Sequence, residues 1–392
     1  MNIKGLKYIL LQRKTIEGFV FIVVFTAVFS YIGHIMGLSN MLNTIMNTAH
    51  DLLLQTVFYL MGVVVLSGAL SRLFIEFGVV RIMEFLFGRL MRPLFGLPGV
   101  AILGSIMPFL SDNPAVLTLA KDKNFSRYFK KYQFISFVNY GTAFGMGLIV
   151  LVFMLGKGYA VEPLLGIAGA VLGCILSTRL FQKILISEDA AYLEPMPTAD
   201  ELKESPSYEE QRAHVIQAKE SIFIRFLNAV LDGGKDGVDL GLAIIPGVVI
   251  ISTAVFLLTF GAGPSGVYDG SPYQGIALLP DLAGRINFIF DWLFGFKHPE
   301  LVAFPITSLG TVGAALGQVP LFISQGFLDG NAVAVFTAMG ISWSGFLSTY
   351  SAIFDTIGYR QLTSKAMGIH LLSGFSAGVF AHWLYMLYAL TL

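Results

Sequence analysis

Apolar residues run through this chain in long stretches, and seven of these are long enough to cross a lipid bilayer as helices. They occupy 16–37, 52–72, 133–156, 161–182, 239–260, 331–357 and 366–390. A helix needs about 20 mainly apolar residues to span the hydrocarbon core. The pattern therefore predicts an all-α polytopic membrane protein. No small-residue cleavage site follows the first stretch, so we expect it to be retained as a transmembrane helix.

Two other stretches carry charges at helical spacing among large apolar residues. They are 79–95 (VVRIMEFLFGRLMRPLF) and 281–296 (DLAGRINFIFDWLFGF). Both contain too many charges to span, and their pattern is typical of helices that lie in the membrane interface. Each is followed by an apolar segment interrupted by helix breakers, at 98–120 and at 299–328.

Basic residues indicate how the broken segments sit in the membrane. Four arginines precede 98–120, and five lysines or arginines follow it. Because cytoplasmic loops are enriched in positive charge, both clusters are expected inside. The segment then turns back at Ser111–Asn113 as a re-entrant hairpin. The same reasoning for 299–328 leaves all but three of the 25 Lys and Arg inside, the exceptions being Lys157, Arg285 and Lys297.

The order of these predicted elements occurs twice. Residues 52–182 and 239–390 each read as helix, interfacial helix, re-entrant hairpin, helix and helix. Each unit crosses three times, so the two copies have opposite orientations and form an inverted repeat. We expect a cytoplasmic N-terminus and an outside C-terminus. The predicted divisions are an N-terminal extra transmembrane helix (1–50), a first repeat (51–186), a hydrophilic cytoplasmic connector (187–222) and a second inverted repeat (223–392).

Composition narrows the classes of function. The net charge is zero, and no basic patch interleaved with exposed aromatics suggests a nucleic-acid partner. Cys174 is the only cysteine, so no disulfide framework or thiolate metal cluster is expected. The histidines His34, His370 and His382 lack ligand spacing, and a proton-relay role for His370 or His382 stays open. We find no nucleophile–base motif, so we expect neither an enzyme nor a bound metal or cofactor.

Broken helices at membrane depth indicate a transport function. Unpaired peptide groups are costly in hydrocarbon and persist where they are buried in protein or line a wet cavity. Two such breaks facing the midplane are typical of a binding site for a polar solute or ion. The sequence therefore predicts a secondary transporter of a small polar solute, coupled to Na⁺ or H⁺, in a bacterial inner membrane.

Short sequence patterns also resemble a known family. LMRPLFGLPG leads into the broken segment FLSDNPAV, and GLAIIPGVVIISTAV opens the second half. This combination resembles the Gate (nucleoside-recognition) domain family, and the element order is similar to concentrative nucleoside transporters. The resemblance implies their fold, transport and a homo-oligomer, either dimer or trimer. The family also includes spore-maturation proteins and ferrous-iron permeases, so a non-transporting membrane partner and an ion permease are the alternatives.

Asp112 is the first candidate for the chemistry, because a carboxylate at a hairpin tip is costly to ionise unless a cation meets it. It is the candidate for the coupling ion. The alternative is a helix cap in which Asp112 accepts from the backbone around Ala115 and Val116. The full set of candidate substrate-binding residues is Ser111, Asp112, Asn113, Asn139, Tyr140, Thr142, Thr311, Gln318, Ser344, Ser348 and Ser351.

Three further predictions concern local geometry. Ser344, Ser348 and Ser351 recur at i, i+4 and i+7, which predicts one helix face. Arg72 and Glu76 are expected to form a structural ion pair. The stretch 232–241 (DGGKDGVDLG) is expected to be a charged, glycine-flexed hinge or cap before the second repeat.

Overall fold

The computed structural model describes residues 13–121, 123–196, 221–263 and 266–391. Within these ranges the chain is helical almost throughout and contains no β-strand, which confirms the all-α class. In the same ranges, five helices are long and apolar enough to cross a membrane, so the protein is a multi-pass membrane protein. These are Lys14–Met36, Leu38–Glu76, Lys131–Gly156, Glu162–Glu188 and Ile222–Thr259. Most of the predicted connector, 197–220, lies outside the described residues.

The helices of the first half follow the predicted order. A π-helical segment, Leu52–Val57, joins α2 to α3, another, Met91–Phe95, follows α4, and a 3₁₀ turn, Gly99–Ile102, precedes α5. The bounds are α1 Arg13–Met36, α2 Leu38–Asp51, α3 Phe58–Glu76, α4 Val79–Leu90, α5 Leu103–Leu110, α6 Pro114–Lys121, α7 Lys123–Ser126, α8 Lys131–Thr142, α9 Gly147–Gly156 and α10 Glu162–Glu188.

The second half contains the same kinds of element. A π-helical segment, Gly247–Ile251, joins α11 to α12, and a 3₁₀ turn, Pro299–Val302, precedes α15. The bounds are α11 Ile222–Pro246, α12 Ser252–Thr259, α13 Leu278–Gly284, α14 Asn287–Phe294, α15 Ala303–Ser308, α16 Val312–Leu316, α17 Val319–Ser324, α18 Gly330–Trp343, α19 Phe346–Thr356 and α20 Thr363–Ala389.

The two halves correspond element by element. α4 matches α13 and α14, the pair α5–α6 matches α15–α16, and the broken helix α8–α9 matches α18–α19. Each half closes with a helix of 27 residues, α10 or α20, and these two helices pack along each other. The two halves therefore have a similar order of elements. Their opposite orientation in a membrane stays a prediction.

A similar amide contact occurs at the corresponding place in both halves. The tripeptide Leu-Phe-Gly ends the interfacial helix of both halves, at 94–96 and at 293–295. In each, the phenylalanine carbonyl accepts from a buried side-chain amide, Gln182 at 2.9 Å and Asn331 at 2.7 Å. Both glycines have positive φ, and a Cβ would lie within 2.6 Å of the same amide group. The same device thus anchors the interfacial helix in both halves.

Two continuous helical rods, 38–76 and 222–259, form the long axis of the fold. Gly68 on the first rod meets Gly233 on the second, while Met61 meets Gly241, so the rods run antiparallel. The second rod begins well before the predicted span 239–260 because residues 222–238 are also helical. The first rod likewise begins before the predicted span 52–72.

Glycines explain why the charged stretch 232–241 is helical. Gly233, Gly237 and Gly241 are buried on the face of α11 that contacts α3. A Cβ on Gly233 would lie 2.4 Å from the carbonyl oxygen of Gly68. Small residues allow membrane helices to approach this closely. The predicted hinge or cap is therefore wrong, and these glycines are a packing surface.

The broken segments have the predicted interruptions. α5 and α6 pack against each other across 111–113, and α15 and α16 do so across 309–311. The helical stretch Gly99–Leu110 is bent by 104° from Val79–Phe95. This bend turns the chain from α4 into the helix pair α5–α6. Entry and exit of each pair on the same side of a membrane stays a prediction.

The core lies where the two halves meet. α10 and α20 both contact α18, and buried phenylalanines fill the space between α15 and α18. The rings of Phe304 and Phe336 stack at 4.0 Å between centroids. α8, α16 and α18 are buried along most of their length. Polar residues on these helices are therefore inside the protein and not at its lipid-facing surface.

Candidate functional site

Helix breaks on three segments of the described chain meet at one place. They are 111–113 between α5 and α6, 143–146 between α8 and α9, and 344–345 between α18 and α19. Two of them belong to the first half and one to the second. A break leaves backbone N–H and C=O groups without helical partners. The meeting point therefore concentrates polar groups inside an apolar protein.

Asn113 joins these breaks. Its side chain is fully buried, and its amide Nδ2 donates to the carbonyl oxygen of Ser344. The other amide atom, Oδ1, has no hydrogen-bond partner among the described residues. A Cβ at Gly145 would lie 2.5 Å from this Oδ1 and 3.0 Å from the Cβ of Ser344. Asn113, Gly145 and Ser344 are thus in direct contact, and one buried acceptor has no hydrogen-bond partner among the described residues.

The backbone at the α8–α9 break is held in an uncommon conformation. Met146 has φ of 56°, a left-handed conformation that costs a non-glycine residue about 1–3 kcal/mol. Its N–H donates to the carbonyl oxygen of Pro108 on α5 at 3.1 Å. Contact with the neighbouring helix pair therefore maintains the break.

Asp112 faces the same place. Its Oδ1 accepts from the N–H of Asn113 at 2.7 Å, and the hydroxyl of Ser344 lies beside the carboxylate. The N–H groups of Ala115 and Val116 donate to backbone carbonyls of Asp112 and Asn113 instead of the Asp112 side chain. The cap predicted as the alternative role is therefore wrong at those two positions. The carboxylate, an amide oxygen and a hydroxyl lie together.

Ser111 connects the site to a cavity. Its exposed hydroxyl donates to the carbonyl of Met107 at 2.7 Å, and the residue lines a cavity of about 230 Å³ between α3, α5 and α11. Arg72 and Asp236 also line this cavity. The predicted pairing of Arg72 with Glu76 is wrong, because Glu76 accepts from Arg225 on α11 at 2.7 Å.

The polar residues of α8 diverge from this point. Asn139 donates to the carbonyl of Ala366 at 3.0 Å, and Tyr140 donates to Ser105 at 2.6 Å. Thr142 shares a hydrogen bond of 2.8 Å with the hydroxyl of Tyr350. The side-chain oxygen of Asn139 is buried and lacks a hydrogen-bond partner among the described residues. These three side chains attach α8 to three different neighbours.

The second helix pair supplies a separate polar group. Gln318 is fully buried and donates through Nε2 to the hydroxyl of Thr307. Its Oε1 lacks a hydrogen-bond partner within the described ranges. Thr311 lies against Gly247, at the π-helical segment of the second rod. The structure thus gives Thr311 and Gln318 different contacts from those of Asn113.

The three predicted serines of the second half do not share one helix face. Ser344 lies at the break and Gly345 has φ of 63°, so α19 starts only at Phe346. Ser351 is exposed. The position of the Ser348 side chain lies outside what the structure describes. The spacing i, i+4 and i+7 defines one face only in an unbroken helix, and the helix is broken at Ser344.

Sequence reasoning missed Gly145 and Met146 as parts of the site. The available signal was the run Gly-Met-Gly at 145–147, which favours a helix break. Among the described residues, no group of three or more His, Cys, Asp or Glu could hold a metal ion. The oxygen atoms around Asn113 are instead suited to hydrogen-bond a polar solute or to coordinate a hard cation.

Comparisons with known proteins agree with this architecture. Residues 57–158, from α3 to α9, match a family model described as Gate, nucleoside recognition. The match includes the breaks at 111–113 and 143–146. No curated protein sequence matches the chain.

Solved structures of a concentrative nucleoside transporter have a similar fold. CNTnw in an inward-facing substrate-bound state superposes with a TM-score of 0.54 at 13% identity, covering 96% of this chain and 88% of that chain. A doubly substituted CNTnw in an outward-facing state gives 0.53 at 12% identity, with 97% and 88% covered. The fold therefore resembles that of concentrative nucleoside transporters over nearly the whole chain.

Proposed function

We propose that this protein is a secondary active transporter that carries a small polar solute across a bacterial inner membrane by alternating access. The observation that carries the proposal is the contact between the breaks at Asn113, Gly145 and Ser344. It places polar groups of both halves at one buried point. Discontinuous helices from two repeats form the solute and ion sites of many transporters.

Each part of the site has a proposed role. Ser111, Asn113 and Ser344 bind the solute through hydroxyl, amide and backbone groups, and Asp112 meets the coupling ion, Na⁺ or H⁺. Asn139, Tyr140 and Thr142 hold α8 in place, since each already has a partner on a neighbouring element. Thr311 and Gln318 perform the corresponding role in the second helix pair.

The comparisons favour a nucleoside-like solute, with other small metabolites as alternatives. The matched family model carries the description nucleoside recognition, and the similar CNTnw has a substrate-bound state. CNTnw has both inward-facing and outward-facing states, as alternating access requires. These properties belong to the relatives, and they support the proposal for this chain.

A thermal-stability screen of the purified protein tests this function. Nucleosides, nucleobases, amino acids and organic acids are each added with and without Na⁺. A solute at a hundredfold excess over its Kd stabilises the folded state by about 2.7 kcal/mol. We expect at least one class to raise the unfolding temperature. Asp112→Asn should remove the effect of Na⁺ or weaken the response to solute.

Asp355→Asn is the matched control. Asp355 forms an ion pair with Arg360 at 3.5 Å beyond the site, so its loss should leave the response unchanged. If no solute of the panel raised the unfolding temperature, and Na⁺ also had no effect, the result would contradict the transporter and favour a non-transporting membrane partner. Stabilisation by cations alone would favour an ion permease.

The arrangement in the membrane completes the proposal. We propose a cytoplasmic N-terminus, an outside C-terminus and assembly into a dimer or trimer in the lipid bilayer. Reporter fusions at the two termini measure the first, and the mass of the detergent-solubilised protein measures the second. Both termini on the same side would contradict the predicted number of crossings.

A further inference from the structure

Two apolar clefts lie at corresponding places in the two halves. The first cleft, of about 400 Å³, lies between α4, α5, the α8–α9 break and α10. The second cleft, of about 320 Å³, lies between α13, α14, α15, α18 and α20. Ile106 and Phe109 on the first correspond to Ile306 and Leu309 on the second. The similar order of elements therefore produces the same kind of cleft twice.

The walls of both clefts offer almost nothing for water to bind. The hydroxyls of Ser105 and Tyr140 in the first cleft are bonded to each other at 2.6 Å. In the second cleft, the indole N–H of Trp343 points at the carbonyl of His370 at 3.4 Å. The other lining side chains are apolar. A bound water needs two to four polar partners, so water is a poor occupant of either cleft.

The second cleft runs from the surface into the interior. Its lining residues Leu282 and Ile306 are 51% and 44% exposed, whereas Met339 and Trp343 are buried. In the first cleft, α4 supplies exposed apolar residues and the α8–α9 break supplies buried ones. The mouth of each cleft lies beside a helix that the sequence predicts in the membrane interface. Because the chain crosses a membrane, the apolar molecules outside these mouths are lipid acyl chains.

Dispersion forces favour filling the clefts. Wall atoms that face an empty space lose their attractive contacts on that side. Lipid tails are as apolar as leucine side chains, so an acyl chain restores these contacts without burying a polar group. An acyl chain is also narrow enough to leave its headgroup at the interface while its tail enters the protein.

We propose that each cleft is a binding site for an acyl chain of a membrane lipid. The buried end of each cleft adjoins a helix break, because Phe144 lies within the break at 143–146 and Trp343 directly precedes the break at 344–345. A bound chain therefore packs against residues at which the helices stop. These sites are distinct from the proposed solute contacts and do not rest on the transport function.

Trp343 is a fluorescent probe at the buried end of the second cleft. The chain has three tryptophans, so Trp292→Phe with Trp383→Phe leaves Trp343 alone, and Trp292→Phe with Trp343→Phe leaves Trp383 alone. Each protein is reconstituted into phosphatidylcholine vesicles with or without bromine atoms on the acyl chains. Bromine quenches an indole only at close range. Trp383 is 48% exposed and Trp343 only 5%, so lipid outside the protein reaches Trp383 far more readily. We expect brominated lipid to quench Trp343 by a fraction comparable with that of Trp383.

Ala283→Phe fills the second cleft, since Ala283 is a small lining residue. In this variant we expect brominated lipid to quench Trp343 much less. Trp383 as the single tryptophan in the same variant should stay quenched, which shows that the protein is inserted. Weak quenching of Trp343 in the unfilled protein, or quenching that Ala283→Phe does not reduce, would overturn the second site.

The first cleft is tested by moving the probe to its equivalent position. Phe144 is 5% exposed, as Trp343 is, so Phe144→Trp is introduced after all three native tryptophans are replaced by phenylalanine. Brominated lipid should quench this probe, and the matched control Ala283→Phe should leave that quenching unchanged because Ala283 lies in the other cleft. No quenching here would overturn the first site. None of these measurements uses a solute, so the transporter proposal is tested separately.

Discussion

At the scale of single residues, Asn113 determines how the two halves meet. Its amide N–H₂ satisfies the carbonyl of Ser344, which the break of α18 leaves without a helical partner. The residue at 145 has to be glycine because any Cβ would collide with the Asn113 side chain. A buried acceptor left without its donor costs about 1–3 kcal/mol.

Asn113→Ala should therefore lower the free energy of unfolding by about that amount and remove stabilisation by solute. Thermal unfolding in detergent, with and without a stabilising solute, measures both effects. Ser351→Ala serves as the control, because Ser351 is exposed and away from the break. If Asn113→Ala retained the full response to solute, Asn113 would not be a binding residue.

The sequence indicated correctly where part of this site lies along the chain, but not which distant residues the fold brings into contact there. The polar run at 111–113 between prolines was visible as an interruption, and the structure has its break there. The contact of Asn113 with Ser344 joins residues that are 231 positions apart, so no local pattern could reveal it. The conformation of Met146 depends on Pro108 of another helix, which is equally invisible in the sequence.

At the scale of elements, close packing of the two long rods depends on glycine. Gly233 lies against the backbone of Gly68, whereas a Cβ on the neighbouring Gly234 would have only Val65 within 4 Å, at 3.9 Å. The two positions are adjacent on the same helix, so intrinsic helix propensity is the same for both. Their difference isolates the packing contact.

Gly233→Ala should destabilise the protein, because the methyl group would force the rods apart. Gly234→Ala should leave the stability unchanged or raise it by up to about 1 kcal/mol, since alanine favours a helix over glycine. Thermal unfolding of the two variants in the same detergent measures the difference. Equal stabilities would contradict the packing role of Gly233.

The order of elements was predictable, but several boundaries were not. Hydropathy and charge located the helices and the interruptions of the two broken segments. The interfacial placement and the inverted repeat stay predictions. Hydropathy and charge failed at 232–241, where charged residues and glycines suggested a hinge or cap, whereas contact with α3 produces a helix. They also failed at 143–146 and 344–345, because the apolar pattern continues through both breaks and tertiary contacts determine where the helices stop.

At the scale of the whole molecule, two halves with the same order of elements enclose one polar point. The interfacial helices are anchored by equivalent amide contacts, and the final helices α10 and α20 pack along each other. Breaks from both halves meet at Asn113 and Ser344. This arrangement is suited to a site whose exposure changes when one set of elements moves relative to the other.

Accessibility of Ser111 from the two sides of the membrane tests this account most directly. Cys174 is the only cysteine and is buried, so Cys174→Ala followed by Ser111→Cys gives a single reactive thiol at the tip. Ser187→Cys, at the exposed end of α10, is the reference for a fixed position. A membrane-impermeant thiol reagent is applied to either face of oriented vesicles, with Na⁺, pH and solute varied.

Alternating access predicts that the thiol at 111 reacts from both faces, in proportions that change with these conditions, while the thiol at 187 reacts from one face. Reaction of the thiol at 111 from one face under every condition would contradict alternating access.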